Sequence, residues 1–227
     1  MSIVGRIHGS YVHSRRVRVL SAHLDSLIPE QASVLDVGTG DGLLAKLLSE
    51  RRPDLSIEGV DVLPRTESHI PVRVFDGEHL PFADKSFDVV LFVDVLHHTN
   101  DPMVLLREAV RTARRALVIK DHSLHGFAAG LTLRAMDMVG NARHGVSLPY
   151  NYWSPAQWEE AAQSLKLRTD KKITDLKLYP GLVDWIFGRS LHFVAQMSVP
   201  GSREILNSHS AEERRVPIIA FPTAAHS

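Results

Sequence analysis

The chain has 227 residues and no cysteine. That excludes cysteine nucleophiles, thiolate metal sites, CxxC redox pairs and disulfide staples. It also lacks a surplus of either charge, with 26 Lys and Arg against 26 Asp and Glu. A protein that wraps nucleic acid ordinarily carries a basic excess, so no nucleic-acid partner is expected. No stretch reaches the roughly 20 consecutive apolar residues of a spanning helix. The N-terminal MSIVGRIHGSYVHSRR has no continuous apolar core of the kind a secretion signal needs. A cytoplasmic protein without a membrane span is therefore expected. What is present suits a folded domain: the hydrophobic content of 44% lies near the globular norm. A chain of this length buries about 70–75% of its unfolded surface without covalent help.

Three segments differ in character. Residues 1–30 hold an arginine-rich amphipathic stretch, SRRVRVLSAHLDSLI, which reads as a helix ending at Pro29. Residues 31–199 alternate strand-like and helix-like patterns. Residues 200–227 lose periodicity and read as an irregular, partly mobile tail.

Within the middle segment, strands are expected at Ser33–Val37, Ser56–Val60 and Val72–Phe75. The connection before Val72 is short, a reduced helix or a turn near Pro64–Ser68. Phe87–Val93 reads FDVVLFV, nearly continuous hydrophobicity, as in a parallel strand buried on both faces. Asn100 or Asp101 can cap a helix with Pro102 at its first position and an apolar face of Met103, Leu106, Val110 and Ala113. Ala116–Ile119 is the next strand. Ser154, Pro155 and Gln157 form a capping-box start to a helix bearing Trp158, Ala162 and Leu165. Strands near Ile173–Leu178 and Leu191–Ser198 close the set. The alternation predicts an α/β fold: a Rossmann-like, doubly wound, mainly parallel sheet of about seven strands, helices on both faces and an antiparallel last strand. Ligands of such sheets bind at the carboxyl ends of the strands.

The first strand runs into VLDVGTGDG, residues 34–42, with Gly38, Gly40 and Gly42 alternating after Asp36. A nicotinamide fingerprint, GxGxxG, would need its third glycine at position 43, where Leu43 stands. The observed spacing makes a tight turn that lets backbone approach a ligand; a plain strand-to-helix glycine turn would use the same residues.

DVGTGDG resembles the first motif of the class I S-adenosylmethionine-dependent methyltransferases, and the following residues keep step with that family. Asp61 in GVDVL matches the acidic residue that ends the second strand and binds ribose hydroxyls. Asp76 in VFDGEHLPF matches the residue that meets the adenine amine. LPFADKSFDVVLFVDVLHH is similar to the fourth-strand stretch of the small-molecule branch known as methyltransferase type 11. The resemblance spans residues 31–122 and implies S-adenosylmethionine as cofactor, with S-adenosylhomocysteine as product. It implies Asp36, Gly38, Thr39, Gly40, Gly42, Asp61, Val62, Asp76, Gly77, Glu78 and Asp94 around that cofactor. The chemistry fits: Asp61 offers two acceptor oxygens to two vicinal hydroxyls. Asp36 can order the loop or accept from the cofactor's ammonium, and Asp76 can accept from the adenine amine. The amides of Gly77 or Glu78 can reach ring nitrogens.

The strand ends beyond the cofactor point to an acceptor. His97 and His98 follow the fourth strand; Asp121 and His122 end the fifth. A base is needed only for a poorly acidic acceptor, and a histidine titrates near neutrality. Asp121 can orient the His122 imidazole; the same histidines can equally cap helices. No metal-ligand spacing such as HExxH is present, and no metal is expected. Tyr11 on the N-terminal segment and Tyr150, Tyr152 and Trp153 in the insert 123–155 are candidates for an acceptor wall, together with Phe127, Leu131 and Met138.

The leading expectation is direct in-line methyl transfer to the oxygen, carbon or nitrogen of a small organic acceptor. An RNA methyltransferase and a non-catalytic cofactor-binding relative are the alternatives. Against the first stands the missing Asn-Pro-Pro-Tyr type motif: the fourth strand ends in Asp94-Val95-Leu96-His97. An oxidoreductase is disfavoured by Leu43.

Overall fold

The structure is a computed structural model. It describes residues 16–63, 65–126, 128–141, 149–179, 184 and 191–202. The expectations for Tyr11, Phe127 and the tail beyond 202 lie outside the described residues.

Seven strands form one sheet in the order β3-β2-β1-β4-β5-β7-β6. They are β1 (Ser33–Val37), β2 (Ser56–Asp61), β3 (Val72–Val74), β4 (Phe87–Val93), β5 (Ala113–His122), β6 (Arg168–Ile173) and β7 (His192–Ser198). β1 pairs in parallel with β2 and β4, and β4 with β5. β7 lies antiparallel between β5 and β6. The order reverses between β1 and β4, so the carboxyl ends of those strands open on the crevice where ligands of this fold bind. The helices are α1 (16–25), α2 (Leu43–Arg51), α3 (Pro102–Thr112), α4 (Ala129–Asn141) and α5 (Pro155–Ser164), with a short 3-10 turn at Leu96–His98. No helix among the described residues is long and apolar enough to cross a membrane.

Successive strand side chains point to opposite faces, and here both faces are covered. Leu35, Val90, Phe92, Leu117 and Ile119 pack with Leu105, Leu106 and Ala109 of α3 and Trp158 of α5. Their neighbours Val34, Val89, Leu91 and Val118 pack with Leu20 and Leu24 of α1 and Leu48 of α2. This explains the unbroken apolar run of β4.

Local signals set the helix starts. Asp101 caps α3 by accepting from the Met103 amide at 2.9 Å, with Pro102 at the first position. Ser154 and Gln157 form a reciprocal capping box on α5.

The connection between β2 and β3 takes the turn form rather than the helical one, with bends and no helix among its described residues. Three details depart from expectation. The first helix stops at residue 25 rather than at Pro29, and Leu27 and Ile28 both bond back to the Leu24 carbonyl. α3 buries Leu105, Leu106 and Ala109, with Met103 and Val110 at the margin, and Ala113 already belongs to β5. β6 lies at Arg168–Ile173, not Ile173–Leu178. Its five leading residues are exposed and polar because it is the outer edge of the sheet, where charge blocks further pairing. Leu176 and Leu178 are buried without being strand and cover the α1 side of the core.

Candidate active site

The glycine loop and the end of β2 are tied together. Gly38 and Thr39 donate to the Val60 carbonyl at 2.8 and 3.1 Å, and the Gly40 amide donates to Asp61 Oδ2 at 2.8 Å. The other Asp61 oxygen accepts from the Leu63 amide at 2.9 Å. Asp61 thus orders two backbone segments while each oxygen keeps a lone pair for a further donor.

Two glycines are sterically required. A Cβ on Gly38 (φ 72°) would meet Val95 Cγ2 at 2.5 Å, and one on Gly42 (φ 74°) would meet Ile70 at 2.5 Å. At Gly40 (φ 63°) a Cβ would have nothing within 4 Å. The tight positions fasten the loop to its neighbours; the open one faces free space beside Asp61. Below the loop, Asp36 is buried and accepts from Thr39 Oγ1 at 2.6 Å. Burial, opposed by Thr39 and aided by the neighbouring Asp61, pushes its carboxyl up to about 7.

Further along the crevice, Val62 is 47% exposed, a large apolar side chain left open at the end of β2. It stands against Gly77, where a Cβ would come within 3.1 Å of Val62 Cγ1. Asp76 accepts from the amides of His79 and Glu78 at 2.7 and 2.8 Å, and those bonds hold it at about 2. The Glu78 amide is therefore spent on Asp76 and is not available to a ring nitrogen as the sequence suggested; the Gly77 backbone remains.

The ends of β4 and β5 carry a buried polar cluster. Asp94 (φ 58°) sits at the turn after β4, with Oδ2 paired to Arg16 of α1 and Oδ1 to Lys120 of β5. Against the penalty of burial, those two cations hold its carboxyl well below the usual range. Its side chain is thus engaged in the protein rather than presented to a cofactor. Asp121 accepts from the Leu96 amide at 3.0 Å and from the His122 amide at 2.7 Å. His97 Nδ1 lies 2.6 Å from Asp121 Oδ1, and His122 Nδ1 lies 3.3 Å from the same oxygen. The sequence paired Asp121 with His122; the shorter bond goes to His97, because the 3-10 turn folds that ring back over the end of β5. Burial, reinforced by Lys120, lowers the His122 imidazole to about 4. His98 is half-buried, its ring 4.1 Å from that of His97.

Of the proposed acceptor wall, Tyr152 is buried and stacks on His97 at 5.4 Å between ring centres. Tyr150 is half-buried, with the Arg134 guanidinium 5.6 Å from its ring centre. Trp153 is core instead: it packs edge-on to Trp158 at 4.9 Å, which in turn meets Phe193. Leu131 and Met138 are exposed on α4.

Arg16, on the N-terminal segment expected to border the acceptor pocket, reaches the site from 78 residues away in sequence. Sequence reading missed two participants. Lys120 carries an ammonium that proves fully buried at the site. His192 opens β7 and is 1% exposed. Only the register of β7 beside β5, with His122 opposite His192, could have revealed the second of these.

His97, Asp121 and His122 also converge closely enough to hold a metal ion. Asp121 is the shared partner of both rings and also accepts from two backbone amides.

Residues 35–116 match the family model of a methyltransferase domain. Over those residues the chain is similar to the class I S-adenosylmethionine-dependent methyltransferases. That similarity supports S-adenosylmethionine as the cofactor. Among curated proteins, a demethylmenaquinone methyltransferase of Thermotoga maritima is 35% identical over 107 residues, 44% of this chain and 45% of that protein. A tRNA U34 carboxymethyltransferase of Nautilia profundicola is 33% identical over 90 residues, 35% of this chain and 30% of that protein. The chain thus spans less than half the length of these relatives. Among solved structures, a Haloferax volcanii putative methyltransferase in complex with the Trm112 activator superposes with a TM-score of 0.62 at 18% identity, over 84% of this chain and 93% of that one. That likeness concerns the fold.

Proposed function

We propose that the protein transfers the methyl group of S-adenosylmethionine to a small organic acceptor by direct in-line displacement. The observation that carries this reading is the junction of Asp61 with the glycine loop. A strand-end carboxylate with lone pairs remaining stands over an open glycine backbone, and a buried carboxyl lies beneath.

The residues suit the cofactor. Asp61 would take the ribose hydroxyls, the backbone at Gly38–Gly42 with Thr39 would lie along the methionyl portion, and Asp36 would meet its ammonium. Val62, Asp76, Gly77 and the Glu78 side chain would border the adenine. Asp94 contributes by fixing the turn after β4 through Arg16 and Lys120, with its backbone toward the methionyl end. The cofactor supplies a methyl group already activated on a sulfonium. The protein's own task is to align the acceptor and exclude water. The acceptor's lone pair forms the new bond to the methyl carbon as the carbon–sulfur bond breaks, leaving a neutral thioether.

Where the acceptor carries a proton, His97 is the group to receive it. Donation from Nδ1–H to Asp121 places the lone pair on Nε2, and Asp121 steadies the imidazolium that forms. His98 and His122 flank it. Tyr150, Tyr152 and the exposed Leu131 and Met138 of the insert would shape the pocket, with α1 as a lid held by Arg16.

A nucleic-acid acceptor has less support. Arg16 pairs with Asp94, Arg111 with Asp84 and Glu108, and Arg114 with Asp88, so these three arginines are neutralised internally rather than offered to a phosphate backbone.

Calorimetric titration with S-adenosylhomocysteine tests the reading. Binding is expected, and Asp61→Ala should weaken it about tenfold or more. No binding of either cofactor form overturns it.

A further inference from the structure

A row of rings crosses the carboxyl ends of β4 and β5 and reaches the start of β7. His98, His97, His122, His192 and Tyr179 follow one another with centre separations of 4.1, 4.5, 4.7 and 5.9 Å. His192 is the inner member no cofactor or base role absorbs. Its Nδ1 lies 3.3 Å from Lys120 Nζ, whose ammonium is held by Asp94.

An ammonium only donates, so Nδ1 must be the acceptor and the imidazole hydrogen must sit on Nε2. Burial and the adjacent Lys120 charge keep the ring neutral, which preserves that tautomer. The Nε2–H is buried and has no acceptor among the described residues. Native proteins leave few buried donors unmet, and those they leave call for a reason. Here the donor lies on the ligand-binding edge of the sheet, beside the candidate base and among aromatic faces, with a buried ammonium polarising it from behind.

We propose that the His192 Nε2–H is the binding contact for an oxyanion of the methyl acceptor, and that the acceptor is accordingly a phenol held as its phenolate. This rests on the methyl-transfer reading of the site. Lys120 acts through His192, fixing the tautomer and raising its acidity as a donor. The surrounding rings supply the flat apolar walls a phenol needs.

The test uses the full chain saturated with S-adenosylhomocysteine and two probes of matched shape, 4-nitrophenol and 4-nitrotoluene, titrated above neutral pH. The wild type should bind the phenolate about tenfold or more tightly than the toluene. His192→Asn keeps an acceptor for Lys120 but reaches only the Nδ1 position, and should bring the two affinities within about twofold. His192→Gln carries an amide donor to the Nε2 position and should retain most of the preference. Equal binding of the two probes by the wild type, or an undiminished preference in His192→Asn, overturns the proposal. Unchanged S-adenosylhomocysteine affinity in both variants shows that they are folded. Failure of the wild type to bind S-adenosylhomocysteine would instead overturn the methyl-transfer reading, and the probe comparison, repeated without it, would still decide His192.

Discussion

His97 Nδ1 lies 2.6 Å from Asp121 Oδ1, and both side chains are sealed from solvent. The bond joins the turn after β4 to the end of β5. Asp121 also accepts two backbone amides, one on each oxygen. Asp121→Asn would press an amide NH2 against one of those donors. We expect a loss of about 3 kcal/mol in unfolding free energy. The downfield imidazole proton resonance of the His97–Asp121 bond should disappear with it. A loss under about 1 kcal/mol would contradict a tightly coupled pair.

Gly38 and Gly40 separate folding from binding. Both have positive φ, but only Gly38 has a neighbour within bonding-radius reach, Val95 at 2.5 Å. Gly38→Ala should cost about 2 kcal/mol or more of stability through backbone strain and that clash. Gly40→Ala should cost about 1 kcal/mol for the left-handed backbone alone. It should nevertheless weaken S-adenosylhomocysteine binding at least about tenfold, since its methyl would enter the space proposed for the cofactor. Chemical denaturation beside calorimetry reads both quantities. Equal stability loss in the two variants would refute the distinction.

As the proposed partner of the cofactor's ammonium, Asp36 should make cofactor binding depend on pH. Its carboxyl, raised to about 7, is largely protonated at pH 6. An ammonium arriving beside it favours the carboxylate, so binding releases a proton. Affinity for S-adenosylhomocysteine should therefore rise with pH up to about 7 and level off above it. Calorimetry in buffers of different ionisation enthalpy measures the proton directly. Asp36→Asn should remove both the release and the slope.

The same groups set opposing trends in stability. His122, lowered from 6.5 to about 4, binds fewer protons folded than unfolded between those values. Its contribution is full above pH 6.5 and is lost as the pH falls toward 4. His192 is shifted the same way. Asp36 does the reverse: the folded state holds its proton up to about 7, so its contribution falls as the pH rises from 3.8 to that value. Two histidines outweigh one carboxyl, and the wild-type melting temperature should drop between pH 6.5 and 5. His122→Gln should flatten that drop, and Asp36→Asn should steepen it. Identical pH profiles for all three proteins would exclude these groups as the cause.

Much of the fold is legible in local chemistry. Short, nearly continuous apolar runs place β1, β2, β4 and β7, because a strand covered on both faces is apolar along most of its length. Asp101 and Ser154 mark helix starts, because a cap and its amide lie within one turn. β6 escaped for the same reason in reverse: an edge strand owes its stability to backbone pairing with β7 and needs no apolar pattern of its own. Trp153 looked like a pocket wall because aromatic clustering does not reveal which side of a segment faces the core.

What the sequence determined alone is the glycine loop, the acidic residues at the ends of β2 and β3 and the succession of strands along the chain. Each depends on contacts between residues close along the chain or on periodicity within one element. Only the tertiary structure decided the polar cluster at the ends of β4 and β5. It joined Arg16, Asp94 and Lys120 in one ion cluster, gave Asp121 to His97, and brought His192 against Lys120 across 72 residues. Those pairings follow from antiparallel insertion of β7 beside β5 and from α1 folding onto the sheet. Charge and hydrogen-bond complementarity between distant elements leaves no periodic trace in the residues that supply it.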